Sequence, residues 1–153
     1  MVRAPFATPA SYRPLKVIKA ADETISSDDT MSADAELTLT LPPGNYLLLI
    51  YIGYVSGTTP DYKFDVDVPA DAVLNLEAFN YTTSLGLSIA GAFGDVFPIS
   101  AGGAGAIDLA ILIQGALTIV TAGSVTYRWA QNTSTASNTT TYAGSIMVAF
   151  PLP

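Results

Sequence analysis

The sequence predicts an all-β fold, a two-sheet β-sandwich preceded by an extended N-terminal arm. Short apolar runs alternate with polar residues at the period of a strand, and turn residues such as Pro42-Pro43-Gly44-Asn45 separate them. No stretch of the 153 residues carries a sustained stripe of helical period. About nine short strands in a chain of this length are typical of a sandwich.

The arm is predicted over residues 1–14, before a domain at residues 15–153. Pro5, Pro9 and Pro14 favour extended backbone, and a stretched segment of this length reaches at most about 50 Å, enough to contact a neighbouring subunit. Residues 1–21 carry four basic side chains and no acid. A solvated tail and an arm that docks on an acidic surface both fit. For docking, the expected contact residues are Arg3, Phe6, Tyr12, Arg13 and Lys16.

The first half of the domain predicts strands of two kinds. Tyr46–Val55 is apolar at both alternating positions, as expected for a strand covered on both faces. Tyr62–Val68 instead alternates apolar residues with Lys63, Asp65 and Asp67, which predicts one buried face and one solvated face. Leu15–Ala20 and Leu37–Leu41 are also predicted strands, whereas Ala20–Ala35 indicates a loop with brief strand pairing.

The second half predicts further strands at Val73–Tyr81, Ile107–Ile113, Leu117–Thr121, Val125–Gln131 and Tyr142–Phe150. Between the first two of these lies Leu85–Ala106, which is rich in Gly, Ala and Ser. Either a bulged strand or a long mobile loop fits this segment.

Composition excludes several classes of function. The chain has no histidine and no cysteine, so we expect no catalytic triad, thiol nucleophile or ordinary zinc or haem site, and hence no enzyme activity, cofactor or metal. All thirteen carboxylates follow residue 21, opposed there only by Lys63 and Arg128, which argues against nucleic acid as a partner. The apolar runs are too short to cross a bilayer and no secretory signal is present, so no membrane partner is expected.

Two groups of carboxylates suggest chemistry but have simpler interpretations. Asp65 and Asp67 share one strand face at a spacing that a glycosidase could use, yet an amphipathic strand with a solvated face already explains them. The acidic run Asp22–Glu36 offers oxygen ligands for Ca²⁺, but its spacing does not match an EF-hand loop. A solubilising acidic rim is the preferred interpretation. The rim is also a surface that could attract the basic arm of another copy.

The ratio of apolar to charged residues predicts an oligomer. Half of the residues are hydrophobic and 12% are charged, against about 25% in an average soluble domain. Because a two-layer sandwich buries only one face of each sheet, strands that are apolar on both faces need a further cover. Another copy of the chain is the simplest cover. The alternative is a monomer whose surface takes its polarity from Ser and Thr.

The segment Val125–Ser134, VTYRWAQNTS, resembles a jelly-roll module that recurs in virion proteins of tailed bacteriophages. The likeness continues through a Thr-rich loop to Ala143-Gly144-Ser145 and a closing apolar strand. Lys19–Thr24 and the run from Leu41 to Tyr46 also resemble the module, so the similarity spans residues 15–153.

The resemblance implies a jelly roll that forms a homotrimer like the tumour-necrosis-factor and complement globular heads. It further implies a capsid decoration protein, made in the bacterial cytoplasm, that binds the major capsid protein shell on the outer surface of the virion. Tyr51, Tyr127 and Trp129 are candidate trimer-interface residues, with the core as the alternative place for Trp129.

Two other functions remain open within this interpretation. One is the head of a tail fibre or spike, although only a short arm precedes the predicted domain, whereas a fibre head is normally carried on a long shaft. The other is a carbohydrate- or receptor-binding module with Tyr51, Tyr54, Tyr62 and Tyr81 as stacking surfaces.

Overall fold

A computed structural model describes residues 13–81, 87–91, 98–105 and 107–153, and residues 87–91 only as a strand. All of the regular secondary structure in these ranges is β-strand, so the predicted all-β class is confirmed. In chain order the strands are β1 (Leu15–Ile18), β2 (Glu23–Ile25), β3 (Ser32–Leu41), β4 (Gly44–Ser56), β5 (Tyr62–Asp67), β6 (Val73–Tyr81), β7 (Leu87–Gly91), β8 (Ile99–Ala101), β9 (Leu109–Ile119), β10 (Gly123–Gln131), β11 (Thr139–Thr141) and β12 (Ile146–Pro151).

The strands form two antiparallel sheets. The larger sheet has eight strands, six of them in the order β1-β12-β4-β9-β6-β7, with β11 joining β4 to the short β2. The smaller sheet has the order β3-β10-β5-β8. Buried side chains from both sheets belong to one hydrophobic core, an arrangement compatible with the predicted β-sandwich.

The strand pairs are nested along the chain. Strand β1 pairs with β12, β3 with β10, β4 with β9 and β5 with β8, all antiparallel. In each pair, an early strand lies beside a late strand of the same sheet. Successive pairs belong alternately to the larger and the smaller sheet. The β6–β7 hairpin is added beyond β9 at the edge of the larger sheet.

Strand β9 differs from its prediction. The sequence predicts separate strands at Ile107–Ile113 and Leu117–Thr121, whereas a single strand runs from Leu109 to Ile119. Gly115 keeps it continuous, because a Cβ at this position would collide with the backbone carbonyl oxygen of Asn75 on the neighbouring β6. Gly115, which lies between the two predicted strands, therefore allows two backbones to approach closely.

Two more boundaries differ from expectation. The predicted strand Tyr142–Phe150 begins later than expected, because Gly144, with φ of 85°, turns the chain before β12 begins at Ile146. Ala20–Ala35 contains β2 and the start of β3, which confirms the predicted brief pairing. Within Leu85–Ala106 the structure describes strands β7 and β8, and much of the remainder lies outside the described residues.

Candidate functional site: an apolar face of the larger sheet

Strand β4 shows how the larger sheet divides its side chains between two faces. Leu48, Ile50 and Ile52 point into the core and are fully buried. The intervening positions point to the opposite face, where Leu47 is 42% and Tyr51 is 44% exposed. Because successive side chains of a strand lie on opposite faces, this run places apolar side chains on both.

The strand register aligns the outward side chains into a continuous row. In each antiparallel pair, residues directly opposite one another share a face. Starting from β1 and crossing to β6, the opposed residues are Ile18, Ile146, Tyr51, Leu112 and Phe79. Five adjacent strands place the ends of this row about 19 Å apart. A row of five apolar side chains therefore crosses the larger sheet.

The neighbouring rows extend this surface, which we call the apolar face. One row adds Phe150, Leu47 and Ala116 and ends at the exposed Asn75 on β6. The other carries Val148, Leu49 and Gln114 between Lys16 at one end and Glu77 at the other. Lys16 and Glu77 thus lie at opposite edges of the apolar face, and the uncharged positions between them fit an interaction surface.

Tyr51, Tyr127 and Trp129 do not lie together. Tyr51 is exposed at the centre of the apolar face, whereas Tyr127 is fully buried and Trp129 is 2% exposed in the core. The ring of Trp129 stacks on Tyr62 at a centroid distance of 5.5 Å. The interface prediction is therefore corrected for Tyr127 and Trp129, whose side chains pack in the core of the chain, and the alternative core placement of Trp129 is the one observed.

The proposed stacking tyrosines divide in the same way. Tyr54 and Tyr62 are fully buried, so they offer no surface to a sugar, whereas Tyr51 and Tyr81 are exposed. Buried hydroxyls need partners, and Tyr127 donates a hydrogen bond to the hydroxyl of Tyr62. Burial raises the pKa of Tyr54, Tyr62 and Tyr127 because it disfavours the phenolate.

The acidic run is organised around a buried lysine. Lys19 is 2% exposed, and its Nζ lies 2.8 Å from Glu23 Oε2, 2.9 Å from Asp34 Oδ2 and 3.8 Å from Glu36 Oε2. Burial opposes the charge on Lys19, but the hydrogen bonds and charges of Glu23 and Asp34 outweigh it and raise the pKa of Lys19.

This arrangement corrects the prediction of a purely solvated acidic rim, because Asp34 is buried and paired. Asp28 and Asp29 are intermediate and exposed respectively, as a rim requires. Among the residues that the structure describes, no group of three or more potential ligand side chains could hold a metal ion, so nothing supports the Ca²⁺ alternative.

Asp65 also departs from its expected solvated position. It is 5% exposed and accepts two hydrogen bonds from Arg128, at 2.7 Å from Nε and 2.6 Å from Nη2. The hydrogen bond to Asp65 raises the pKa of Arg128. Asp67 on the same strand is exposed as predicted. Because Asp65 is held by Arg128, the two carboxylates do not form a matched acid and base.

The predicted arm residues fall on both sides of the first described position. Arg3, Phe6 and Tyr12 lie outside the described residues. Arg13 is exposed two residues before β1, and Lys16 lies inside β1 at the edge of the apolar face. Lys16 therefore belongs to the sheet rather than to an arm.

Sequence reasoning missed most of the apolar face. Ile18, Leu112, Phe79 and Ile146 were not singled out, although each lies in a predicted strand. The available signal was the apolar character of Tyr46–Val55 at both alternating positions, which indicated a second covered face. Strand register, which the sequence alone does not provide, decides which residues complete that face.

Comparisons with known proteins identify no relative. No family model matches the chain, and no curated protein or solved structure matches it. Within the described part of the chain, no helix has the length and apolar character needed to cross a membrane.

Proposed function

We propose that this chain is a structural protein of a bacteriophage virion, a homotrimeric decoration protein that binds the outer surface of the major capsid protein shell and stabilises it. The observation that carries this proposal is the apolar face, centred on Tyr51, on a sheet whose opposite face already fills the core. The function needs no catalytic residue, cofactor or metal.

The nested strand pairing supports a jelly roll. In a jelly roll, an antiparallel ribbon folds so that strands near its two ends pair, and the successive pairs alternate between two sheets. The pairs β1/β12, β3/β10, β4/β9 and β5/β8 follow this order. This topology agrees with the resemblance of the Val125–Ser134 segment to jelly-roll virion modules, and it makes β6 and β7 an added hairpin.

The chemistry of the apolar face supports self-association. Burial of apolar surface is worth about 25 cal/mol per Å², and a large uncharged patch on a sheet gains most from a partner of the same chemistry. In a closed ring of three copies, each contact joins two different patches. Lys16 and Glu77 have opposite charges at opposite edges of the face, which suits such a head-to-tail contact.

The basic start of the chain supports a role for residues 1–14 in shell binding. Arg3 and Arg13 give residues 1–14 a positive charge, whereas all the carboxylates lie in the domain that follows. The segment therefore has the opposite charge to the domain. Contacts made by three arms of one trimer strengthen one another, because each bound arm raises the effective concentration of the next. The surface buried between the trimers and the shell then raises the free energy needed to dissociate the capsid subunits.

Two measurements test the proposal in sequence. Sedimentation of the purified protein reports a trimer if the apolar face is an interface, and a monomer that stays dispersed contradicts self-association. Undecorated shells are then mixed with the protein, and copies are counted by cryo-EM. Deletion of residues 1–14 is expected to leave the trimer intact and to abolish binding, and retained binding contradicts the role of the arm.

A carbohydrate- or receptor-binding head is the second candidate, favoured by the exposure of Tyr51 and Tyr81 on one sheet face. Exposed aromatic rings can stack on sugars. A trimer that ignores undecorated shells but binds defined sugars on a glycan array favours this function. Loss of the sugar signal in Tyr81→Ala, with the trimer retained, locates the site.

A further inference from the structure

Lys19 and Asp34 are buried side by side next to an acidic side chain. The two side chains are 1% and 0% exposed, and Lys19 Nζ lies 3.0 Å from Asp34 Oδ1 and 2.9 Å from Oδ2. Glu23 Oε2 lies 2.8 Å from the same Nζ. An amine, a carboxyl group and a second carboxyl that contacts the amine are the groups needed to form an amide bond.

The surroundings of Asp34 suit a reaction at its carboxyl carbon. Oδ1 accepts hydrogen bonds from the backbone N–H groups of Glu36 and Leu37, each at 3.0 Å. Two converging backbone donors stabilise the negative charge that develops on this oxygen in a tetrahedral intermediate. Oδ2 accepts a hydrogen bond from Nε1 of Trp129 at 3.2 Å. The oxygen atoms of Asp34 are thus held in different environments.

Burial favours a neutral product over the ion pair. A buried pair of charges loses much of its attraction to the cost of removing both ions from water, whereas an amide carries no charge. Fixed neighbours also remove the entropy cost of bringing the amine and the carboxyl together. Both neighbouring carboxylates accept backbone N–H hydrogen bonds, Glu23 from Ala35 and Glu36 from Ala20 and Ala21. They differ in distance, because Glu23 Oε2 lies 2.8 Å from Nζ and Glu36 Oε2 lies 3.8 Å from it. Glu23 is therefore the carboxylate placed to move protons.

We propose that Lys19 and Asp34 condense into an intramolecular isopeptide bond, with Glu23 as the catalytic proton relay. A proton passes from the Lys19 ammonium to the Asp34 carboxylate, and the neutral Nζ attacks Cγ. Glu23 accepts a proton from Nζ and returns it to the departing Oδ2. A C–N bond forms, a C–O bond breaks, and one water leaves. No oxidant, reductant or metal is required.

The bond would anchor the start of the domain. Lys19 follows β1 and Asp34 lies in β3, so the crosslink joins the two sheets across the segment that contains β2. A force that pulls on the N-terminal segment could detach β1, but unfolding would stop at Lys19. The crosslink would then transfer the force directly to β3 in the smaller sheet. This inference does not depend on the proposed virion function.

Intact-protein mass spectrometry of the wild-type chain tests the proposal directly. The folded protein is expected to weigh about 18 Da, one water, less than its sequence. Because the neighbouring carboxylates favour the charged amine, both fresh and incubated samples are measured. Peptide mapping is expected to give a branched peptide that joins Lys19 to Asp34. Folded protein that keeps its full sequence mass after several days overturns the proposal.

Three variants separate the isopeptide bond from other losses of water. Lys19→Arg is expected to keep its full mass, whereas Lys16→Arg, the matched control in β1, is expected to lose one water like the wild type. A loss that persists in Lys19→Arg indicates a cyclised aspartate elsewhere and contradicts the linkage.

Glu23→Gln is expected to fold, as judged by the near-ultraviolet signal of Trp129, and to keep its full mass. Condensation at the wild-type rate in this variant contradicts the role of Glu23.

Discussion

The outer faces of the two sheets are built on the same strand geometry but differ in chemistry. On the larger sheet, the central row consists of Ile18, Ile146, Tyr51, Leu112 and Phe79. On the smaller sheet, the corresponding positions carry Thr38, Thr126 and Asp67 in one row, and Arg128 with Asp65 in another. Both sheets bury their inner faces in the same core.

This difference shows that the apolar character of the larger sheet is not a general property of the chain. The smaller sheet demonstrates that the same polypeptide can present a polar outer face made of threonine side chains and a paired Arg128 and Asp65. Water can hydrogen-bond to the polar side chains of such a face, so the face needs no further cover. Removing the apolar face from water would gain free energy, and the proposed self-association is one way to cover it.

The sharpest test of the comparison places a charge at the centre of the apolar face. In the proposed trimer, Tyr51→Glu is expected to weaken each contact between copies by about 2–4 kcal/mol, because a central aromatic side chain is lost and a carboxylate must be desolvated. Sedimentation at equal concentration then reports a mass near one third of that of the wild type.

The matched control for Tyr51→Glu lies on the other sheet. Thr126→Glu adds the same charge to the solvated face of the smaller sheet, and the mass of the assembly is expected to stay unchanged. Equal dissociation in both variants would show that net charge rather than the apolar face controls assembly.

The tyrosines of the core are expected to make stability sensitive to alkaline pH. Burial raises the pKa of Tyr54, Tyr62 and Tyr127 above the ordinary value of 10.0, so the folded state favours their protonated form. Their contribution to stability is complete below pH 10 and is lost as the pH rises toward the folded pKa. Each tyrosine is expected to lower the free energy of unfolding by about 1.4 kcal/mol per pH unit above pH 10.

Urea unfolding between pH 8 and pH 11 measures this slope. Tyr54→Phe is expected to be less stable at neutral pH, because the hydroxyl donates to the carbonyl oxygen of Gly102, but to show a shallower alkaline loss. An unchanged slope would assign the alkaline sensitivity to other groups.

The ion pair of the smaller sheet is expected to matter less. Asp65→Asn removes a carboxylate that accepts two hydrogen bonds from Arg128. Hydrogen bonds to charged groups contribute more than neutral ones, but the Arg128 side chain is 37% exposed, so water recovers part of the loss and we expect a cost of about 1–2 kcal/mol in unfolding free energy. Chemical denaturation measures the change. The oligomeric state is expected to remain that of the wild type, since this face is not the proposed interface.

The smallest expected effect concerns the charges at the edges of the apolar face. Lys16→Glu and Glu77→Lys are each expected to weaken assembly by about 0.2–1 kcal/mol, because exposed ion pairs are weak. In the head-to-tail arrangement, the double variant Lys16→Glu with Glu77→Lys is expected to restore the wild-type affinity. Losses that simply add in the double variant would place Lys16 and Glu77 at separate contacts.

The sequence predicted the strands better than it predicted their surroundings. Tyr46–Val55 indicated a strand with two apolar faces, and β4 has them. The same alternation suggested a solvated Asp65, but its burial depends on Arg128, which lies 63 residues further along the chain. Pairing between distant segments cannot be inferred from a local pattern.

Trp129 illustrates the same limit inside the candidate site. Alternation along Val125–Gln131 shows which side chains share a face, but it does not show whether that face points toward the core or toward a partner. The stack on Tyr62 and the hydrogen bond to Asp34 come from strands β5 and β3 and place the indole in the core of the chain. The apolar face was likewise assembled from residues that no single segment could identify.

By itself, the amino-acid sequence determined the strand class, the turns, the scarcity of charge and the exclusion of histidine and cysteine chemistry. These properties depend on residue type and on a period of two, which are local. Only the tertiary structure decided the nested pairing, the burial of Lys19 among carboxylates and the alignment of Tyr51 with its apolar neighbours. The physical reason is that register and burial arise from contacts between residues far apart in the chain, whose free energies exist only once the sheets have formed.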